Sequence, residues 1–452
     1  MHQQDTDEPV TDSSLLKQLA ASTDKPYALQ LPTAFPKRAK DIHIGFLFNH
    51  EQGHQLAHSA PILAALATKD SGRVHLHAFV SCRARRQELK AFIPKTLWHR
   101  ITVHHIPPPA PAGWVEKATG GAVPMRRIGA LFKHRALLGK MTILIAPETT
   151  CIMLKTHMGC RNTRFIYTQH GAGDRAVGFK KIIREFDHVL VPGLKIRDRM
   201  LDKNIIREGA FSLVGYPKFD AVARQTTRRL FPNERQVVIY NPHFHPALSS
   251  WYKHGLRVLE FFAENTQFNL IFAPHVMLFS RKIHLSLSPL RLQQSGTIPA
   301  RFFNCPNIII DQGSACSTNM TYTRAADIYL GDVSSQVYET ITTPKPCIFL
   351  RNGHEEWFDD PNFAHWHLGK VVDDIDRLGS ALANQSWFDD ILRARQEAAF
   401  GATFGSAPFG AAERAANAII KVSGAEFPAT SVFPPSHFNA NDTPARRGEF
   451  HA

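Results

Sequence analysis

Long hydrophobic runs are missing from this chain of 452 residues. No stretch approaches the roughly 20 apolar residues that cross a bilayer, so any membrane contact is expected to be peripheral. Paired cysteines are missing too. Cys82, Cys151, Cys160, Cys305, Cys316 and Cys347 form no C-x-x-C pair and no disulfide-like rhythm. Several sit in apolar runs, which predicts buried, reduced thiols and a cytoplasmic protein. Asp5, Asp7 and Glu8 near the start leave no basic-then-apolar segment, so no export signal is expected. There is no internal repeat and no coiled-coil heptad. Acidic charge is in short supply: 53 Lys and Arg stand against 39 Asp and Glu, a net charge of +14. That balance favours an anionic partner, whether nucleic acid, anionic lipid or a phosphorylated substrate. No recognised nucleic-acid motif accompanies it, and no nucleic-acid partner is expected.

What is present is a globular composition, 44% hydrophobic and 20% charged, long enough for two domains. Residues 1–40 read as a loose leader. From Ile42 a regular rhythm begins, with strand-like runs at Ile42–Phe48, Val74–Val80, Ile101–Ile106, Thr142–Ala146, Phe165–Thr168, Val189–Val191 and Ser212–Val214. A second set follows at Val237–Tyr240, Phe268–Phe272, Asn307–Ile310, Asp327–Leu330 and Cys347–Phe349. Short strands alternating with helical segments predict parallel, doubly wound α/β sheets. The expected organisation is a Rossmann-like domain over 41–225, a second over 226–422 whose helical end packs back across both, and a loose tail over 423–452.

The chain is organised around Arg324–Leu350. A short strand (Ile328–Leu330) leads through a polar turn into a helix, and Pro344 and Pro346 end that helix before the next strand. Gly331 is expected to supply backbone freedom, and Ser334 or Ser335 to cap the helix. Such a turn presents unpaired amides to an anion. Glu339, a turn into the helix, is placed to meet a ribose hydroxyl. An ordinary capped βα connection fits these residues equally well.

Several motifs resemble the CDP-glycerol glycerophosphotransferase family, the teichoic-acid-type polymerases and primases with a GT-B fold. They are Val237-Val238-Ile239-Tyr240-Asn241-Pro242, Phe272-Ala273-Pro274-His275, and Ala326-Asp327-Ile328 through Gly331-Asp332-Val333-Ser334-Ser335 with Pro346-Cys347-Ile348-Phe349 beyond. Gln169-His170-Gly171 and Gly215-Tyr216-Pro217-Lys218-Phe219-Asp220 are similar to further elements of that family. The match spans roughly residues 165–350. It departs at Ala172-Gly173-Asp174-Arg175, where the family has Thr-Pro-x-Lys, and at Asn241-Pro242-His243, where Pro-Thr is common. Residues 41–160 match nothing.

The resemblance implies two lobes facing across a cleft and transfer from a nucleotide-diphosphate donor such as CDP-glycerol. The acceptor would be an anionic polymer or a lipid-linked molecule. His170, in a Gly-rich loop after a strand, suits a general base for the acceptor hydroxyl. His275 is placed to donate to the leaving phosphate. Gly331, Asp332, Ser334 and Ser335 would hold the donor's phosphates, with Asp332 orienting backbone or a hydroxyl. Gly171, His243, His245, His50 and His54 are candidates to line the cleft. No metal and no cofactor is required. Within the fold, a sugar transferase or a nucleotide-sugar 2-epimerase is the alternative. His50-Glu51-Gln52-Gly53-His54 also fits the zinc-protease pattern H-E-x-x-H. Its place after a strand, and Gly53 within it, argue for a polar loop instead.

Overall fold

The computed structural model describes residues 41–49, 53–69, 72–118, 124–169, 171, 173–174, 178–223, 229–287, 289–353 and 356–424. Two parallel sheets dominate. The first holds Ile42–Phe48 (β1), Val74–Val80 (β2), Ile101–His105 (β3), Ile143–Ala146 (β4), Arg164–Thr168 (β5), His188–Val191 (β6) and Phe211–Leu213 (β7), in the order β3-β2-β1-β4-β5-β6-β7. The second holds Val237–Asn241 (β8), Asn269–Phe272 (β9), Ile308–Ile310 (β12), Ile328–Gly331 (β13), Cys347–Leu350 (β14) and Lys370–Val372 (β15), ordered β12-β9-β8-β13-β14-β15. Every pairing in both sheets is parallel.

Near-continuous apolar runs such as Ile143–Ala146 and Cys347–Leu350 form central strands because both faces are covered. Residue alternation then sorts each strand between two cores. Ile44, Phe46 and Phe48 face one cluster and Leu47 the other. In the second sheet Ile239, Tyr329 and Phe349 join one cluster, while Val238, Tyr240, Ile328 and Leu330 join its opposite. Strand order reverses between β1 and β4, and again between β8 and β13. In such sheets the loops leaving the carboxyl ends part at this point and open a crevice.

The chain crosses between sheets at the segment starting with Gly215, whose φ of +84° is a left-handed value that favours glycine. A Cβ there would also come within 2.5 Å of the Arg414 guanidinium. Asp220, at the end of the same motif, accepts hydrogen bonds from the amides of Gly410 and Ala412, both at 2.6 Å. Those amides open the helix Ala411–Ser423, which puts Ala415, Ala416 and Ile419 into the core of the first sheet. The C-terminal helix thus returns to the lobe the chain left 200 residues earlier, where Arg414 Nε donates to Val214 O at 2.9 Å. The fold is the GT-B arrangement the sequence predicts.

Two elements were not expected. Ile283–Leu287 (β10) and Leu290–Gln294 (β11) form a separate antiparallel hairpin, and β15 extends the second sheet. Within the described residues no helix is long and apolar enough to cross a membrane.

Candidate active site

A cavity of about 780 Å³ opens where the carboxyl ends of the two sheets face one another. Gln55 and His58 follow β1 there, Glu148–Thr150 follow β4, and Gln169, Gly171 and Gly173 follow β5. The second sheet contributes His243–His245 after β8, His275–Met277 after β9 and Val333–Gln336 after β13. This is the crevice that the strand-order reversals predict.

The β13 turn reaches the cavity, but not in the way its sequence suggests. Its helix is only five residues, Gln336–Thr340, with Ser335 as N-cap and no side-chain cap bond. Ser334 Oγ accepts from the Gln336 amide at 3.3 Å instead. The Val333 amide is taken by Asp332 Oδ1 at 2.6 Å, while those of Ser334 and Ser335 meet no acceptor among the described residues. Gly331 does not have a left-handed φ, so the expectation of special backbone freedom fails. Space is the reason for glycine: a Cβ would stand 2.5 Å from the Tyr329 hydroxyl oxygen.

Asp332 is fully buried and points its carboxylate at the β8 loop. It accepts from His243 N at 2.9 and 3.1 Å, and from Ser250 N and Oγ at 2.6 and 2.8 Å. Burial raises its pKa to about 6, against the pull of those donors. Its role in the fold is to fix the loop that carries the histidines.

Those histidines share one device. His243 Nδ1 accepts from the His245 amide at 2.9 Å, His245 Nδ1 from the Ala247 amide at 3.3 Å, and His275 Nδ1 from the Met277 amide at 3.2 Å. A backbone N–H at Nδ1 places the proton of the neutral ring on Nε2, turning each imidazole into an oriented donor. The rings cluster, with His243 and His275 centroids 5.1 Å apart and Phe244 4.7 Å from His275.

Glu339 lines the cavity in a buried ion pair. Lys218 Nζ donates to both of its oxygens at 2.7 Å, and Tyr216 Oη donates at 3.3 Å. On the other wall, Glu148 accepts from the Thr150 and Cys151 amides at 2.6 and 3.2 Å and from Arg127 at 3.5 Å. Beside the cavity, Asp174 gathers Tyr338 Oη (2.7 Å), the His365 amide (3.0 Å), His365 Nδ1 (3.2 Å) and Lys195. Burial alone would raise its pKa, but the His365 hydrogen bond and the Lys195 charge bring it down to about 2. Tyr338 and His365 belong to the second lobe and Lys195 to the first, so this network ties the lobes at the cavity edge. Gly173 allows them to meet, because a Cβ there would stand 2.8 Å from Ser335 Cβ.

The structure therefore brings His243, His245, His275, Gly171, Ser334, Ser335 and Glu339 to one cavity. Asp332 and Gly331 stand behind it. His170 and His50 lie outside the described residues, as does the His54 side chain, although the neighbours Gln169 and Gly171 line the cavity. Lys218, Tyr216, Arg127, Glu148 and Gln55 were not singled out. Lys218 and Tyr216 sit inside a quoted motif, whereas nothing in residues 41–160 marked the rest.

No family model matches the chain, and no curated protein matches it by sequence. Solved structures match through the fold. A putative UDP-N-acetylglucosamine 2-epimerase from Listeria monocytogenes superposes with a TM-score of 0.55 at 11% identity, covering 86% of this chain and 98% of that one. The S. aureus MnaA–UDP structure gives 0.54 at 12%, covering 86% and 99%. The wall teichoic acid polymerase TagF, solved with CDPG, gives 0.53 at 14%, covering 84% and 88%. These neighbours are GT-B enzymes, the first named for a UDP-linked sugar and the other two solved with UDP and with CDPG. At such identities the likeness is one of fold.

Proposed function

We propose that this chain is a transferase that takes a glycerol-phosphate or related group from a CDP-glycerol-like donor. The acceptor is the hydroxyl of an anionic, cell-surface polymer or lipid-linked molecule, and the site of action is the cytoplasmic side of the envelope. The observation that carries the reading is the convergence of His243, His245 and His275, with Nδ1 held by backbone, on the cavity that the Ser334–Ser335 turn also lines.

The donor's diphosphate lies against that turn and the imidazole donors, with Glu339 toward the ribose hydroxyls. His170 takes the acceptor's proton as its oxygen attacks the β-phosphorus. The new P–O bond forms as the bond to the leaving CMP breaks, and His275 donates to the oxygen on which charge develops. No metal enters this scheme. The acceptor occupies the first-lobe wall, where Lys180 offers positive charge beside the Arg127–Glu148 pair.

Transfer from CDP-glycerol to a glycerol-phosphate primer is the direct test. His275→Ala is expected to lower the rate about 10²–10³-fold, the usual cost of removing one such donor. Undiminished transfer in that variant would remove His275 from the mechanism. The 2-epimerase structures among the fold neighbours favour a second reading, a UDP-sugar enzyme. Thermal shift separates the two: at 100-fold excess over Kd a donor adds about 2.7 kcal/mol of stability. CDP-linked compounds are expected to give that shift, and a shift with UDP-linked compounds alone would install the epimerase reading.

A further inference from the structure

The hairpin β10–β11 stands outside both sheets. Leu285 and Leu292 pair directly across it, so they share a face, and strand alternation adds Ile283 and Leu290 to that face. All four are exposed: Ile283 51%, Leu285 57%, Leu290 75% and Leu292 66%. The opposite face is anchored. His284 and Ser286 are buried, and a His284 ring nitrogen lies 2.8 Å from Leu278 O. The base is stitched by Ser295, which donates from its amide to Lys282 O at 3.0 Å and from Oγ to Arg281 O at 2.8 Å. Trp251 Nε1 donates to Ser295 O at 2.8 Å. A rigid element thus presents aliphatic side chains to water, an arrangement soluble surfaces ordinarily avoid.

Charge decides what covers it. Residues 265–310 contain no Asp or Glu, while Arg281, Lys282, Arg291 and Arg301 lie among them. Arg291 pairs with Ser286 and so lies on the opposite face, whereas Arg281 and Lys282 stand exposed at the hairpin's base. A second copy seated hairpin to hairpin would set these cations against their equivalents with no carboxylate from this stretch to offset them. An anionic lipid surface meets both features at once, taking the leucines into the acyl boundary and the cations into the headgroup layer.

We propose that the outer face of this hairpin is the chain's docking element for an anionic membrane. It leads directly from the cavity-lining segment His275–Met277, and Phe244, also in the cavity wall, packs 5.9 Å from His284. The docked hairpin therefore holds the cavity near the bilayer. The inference goes beyond the transferase reading, and its assay needs neither donor nor acceptor.

The test is co-sedimentation of the full chain with vesicles of phosphatidylcholine alone, or of equimolar phosphatidylcholine and phosphatidylglycerol. Binding is expected only to the anionic vesicles and is expected to fall with added salt. Leu285→Glu/Leu292→Glu should weaken partitioning about tenfold or more, and Arg281→Gln/Lys282→Gln should weaken it with an intact aliphatic face. Both variants change exposed side chains and should keep the wild-type melting temperature, which a thermal melt confirms. Vesicle binding unchanged in the Leu285→Glu/Leu292→Glu variant would overturn the proposal. So would a wild-type dimer that ignores vesicles and that this variant converts to monomer, which would make the face a contact between copies.

Discussion

Removing one partner of the Lys218–Glu339 pair should cost more than any other single change at the cavity. The Lys218 residue is 4% exposed and Glu339 6%, and the ammonium donates to both carboxylate oxygens at 2.7 Å. Glu339→Ala strands the ammonium with Tyr216 Oη as a neighbour that cannot neutralise it. An uncompensated buried charge of this kind costs about 3–5 kcal/mol. Lys218→Met strands the carboxylate and should cost a similar amount. The double variant Lys218→Met/Glu339→Leu leaves neither charge and should regain most of that loss, since a buried pair replaced by apolar groups is often close to neutral. Equilibrium urea unfolding of the wild type, both singles and the double completes the cycle. With each single costing about 3–5 kcal/mol and the double close to neutral, the expected coupling is about 5 kcal/mol or more. Additive singles, or singles each costing under about 1 kcal/mol, would mean that water reaches the pair and that the cavity floor is not as drawn.

Two further outcomes follow from the geometry. His43 Nδ1 lies 3.0 Å from His77 Nε2, and His77 Nδ1 lies 2.9 Å from His104 Nε2. Burial, with His104, His43 and His75 as cationic neighbours, lowers the pKa of His77 to about 4. The fold favours neutral His77, so this contribution is intact above about pH 6.5 and is lost as pH falls from there toward 4. Allowing for partial exposure, about 1–2 kcal/mol should disappear across that window, and His77→Gln should flatten the slope in urea midpoints measured against pH. Gly173→Ala should push Ser335 from its place, because the new Cβ would stand 2.8 Å from Ser335 Cβ. Donor affinity should fall about tenfold or more with little change in melting temperature; unchanged affinity would show that the β5 loop yields freely.

Most strands were legible because buried parallel strands are short apolar runs bounded by Gly, Pro and polar residues, and Cys347–Leu350 or Ile143–Ala146 resemble nothing else. The hairpin β10–β11 was missed, although Ile283, Leu285, Leu290 and Leu292 alternate strictly, because its apolar face meets no core. Cavity-lining residues were anticipated where a motif carried them: His243, His275, Ser334 and Ser335 in loops after strands, and Glu339 in the helix that follows. What those residues touch was not legible. Nothing local to Glu339 announces that Lys218, 121 positions earlier, grips it. Nor does Gly331 reveal that its glycine answers a tyrosine hydroxyl rather than a backbone angle. Asp332 was expected to orient backbone or a hydroxyl and does hold three amides and one hydroxyl, but that they belong to the β8 loop and its own neighbour was not legible.

A crystal of the chain grown with CDP tests the central claim most directly, that a nucleotide diphosphate lies between the lobes against the Ser334–Ser335 turn. The expected result is phosphate density within hydrogen-bonding distance of those two amides and of an imidazole among His243, His245 and His275, with the ribose turned toward Glu339. CDP bound elsewhere on the chain, or a cavity that stays empty at saturating CDP, would contradict it.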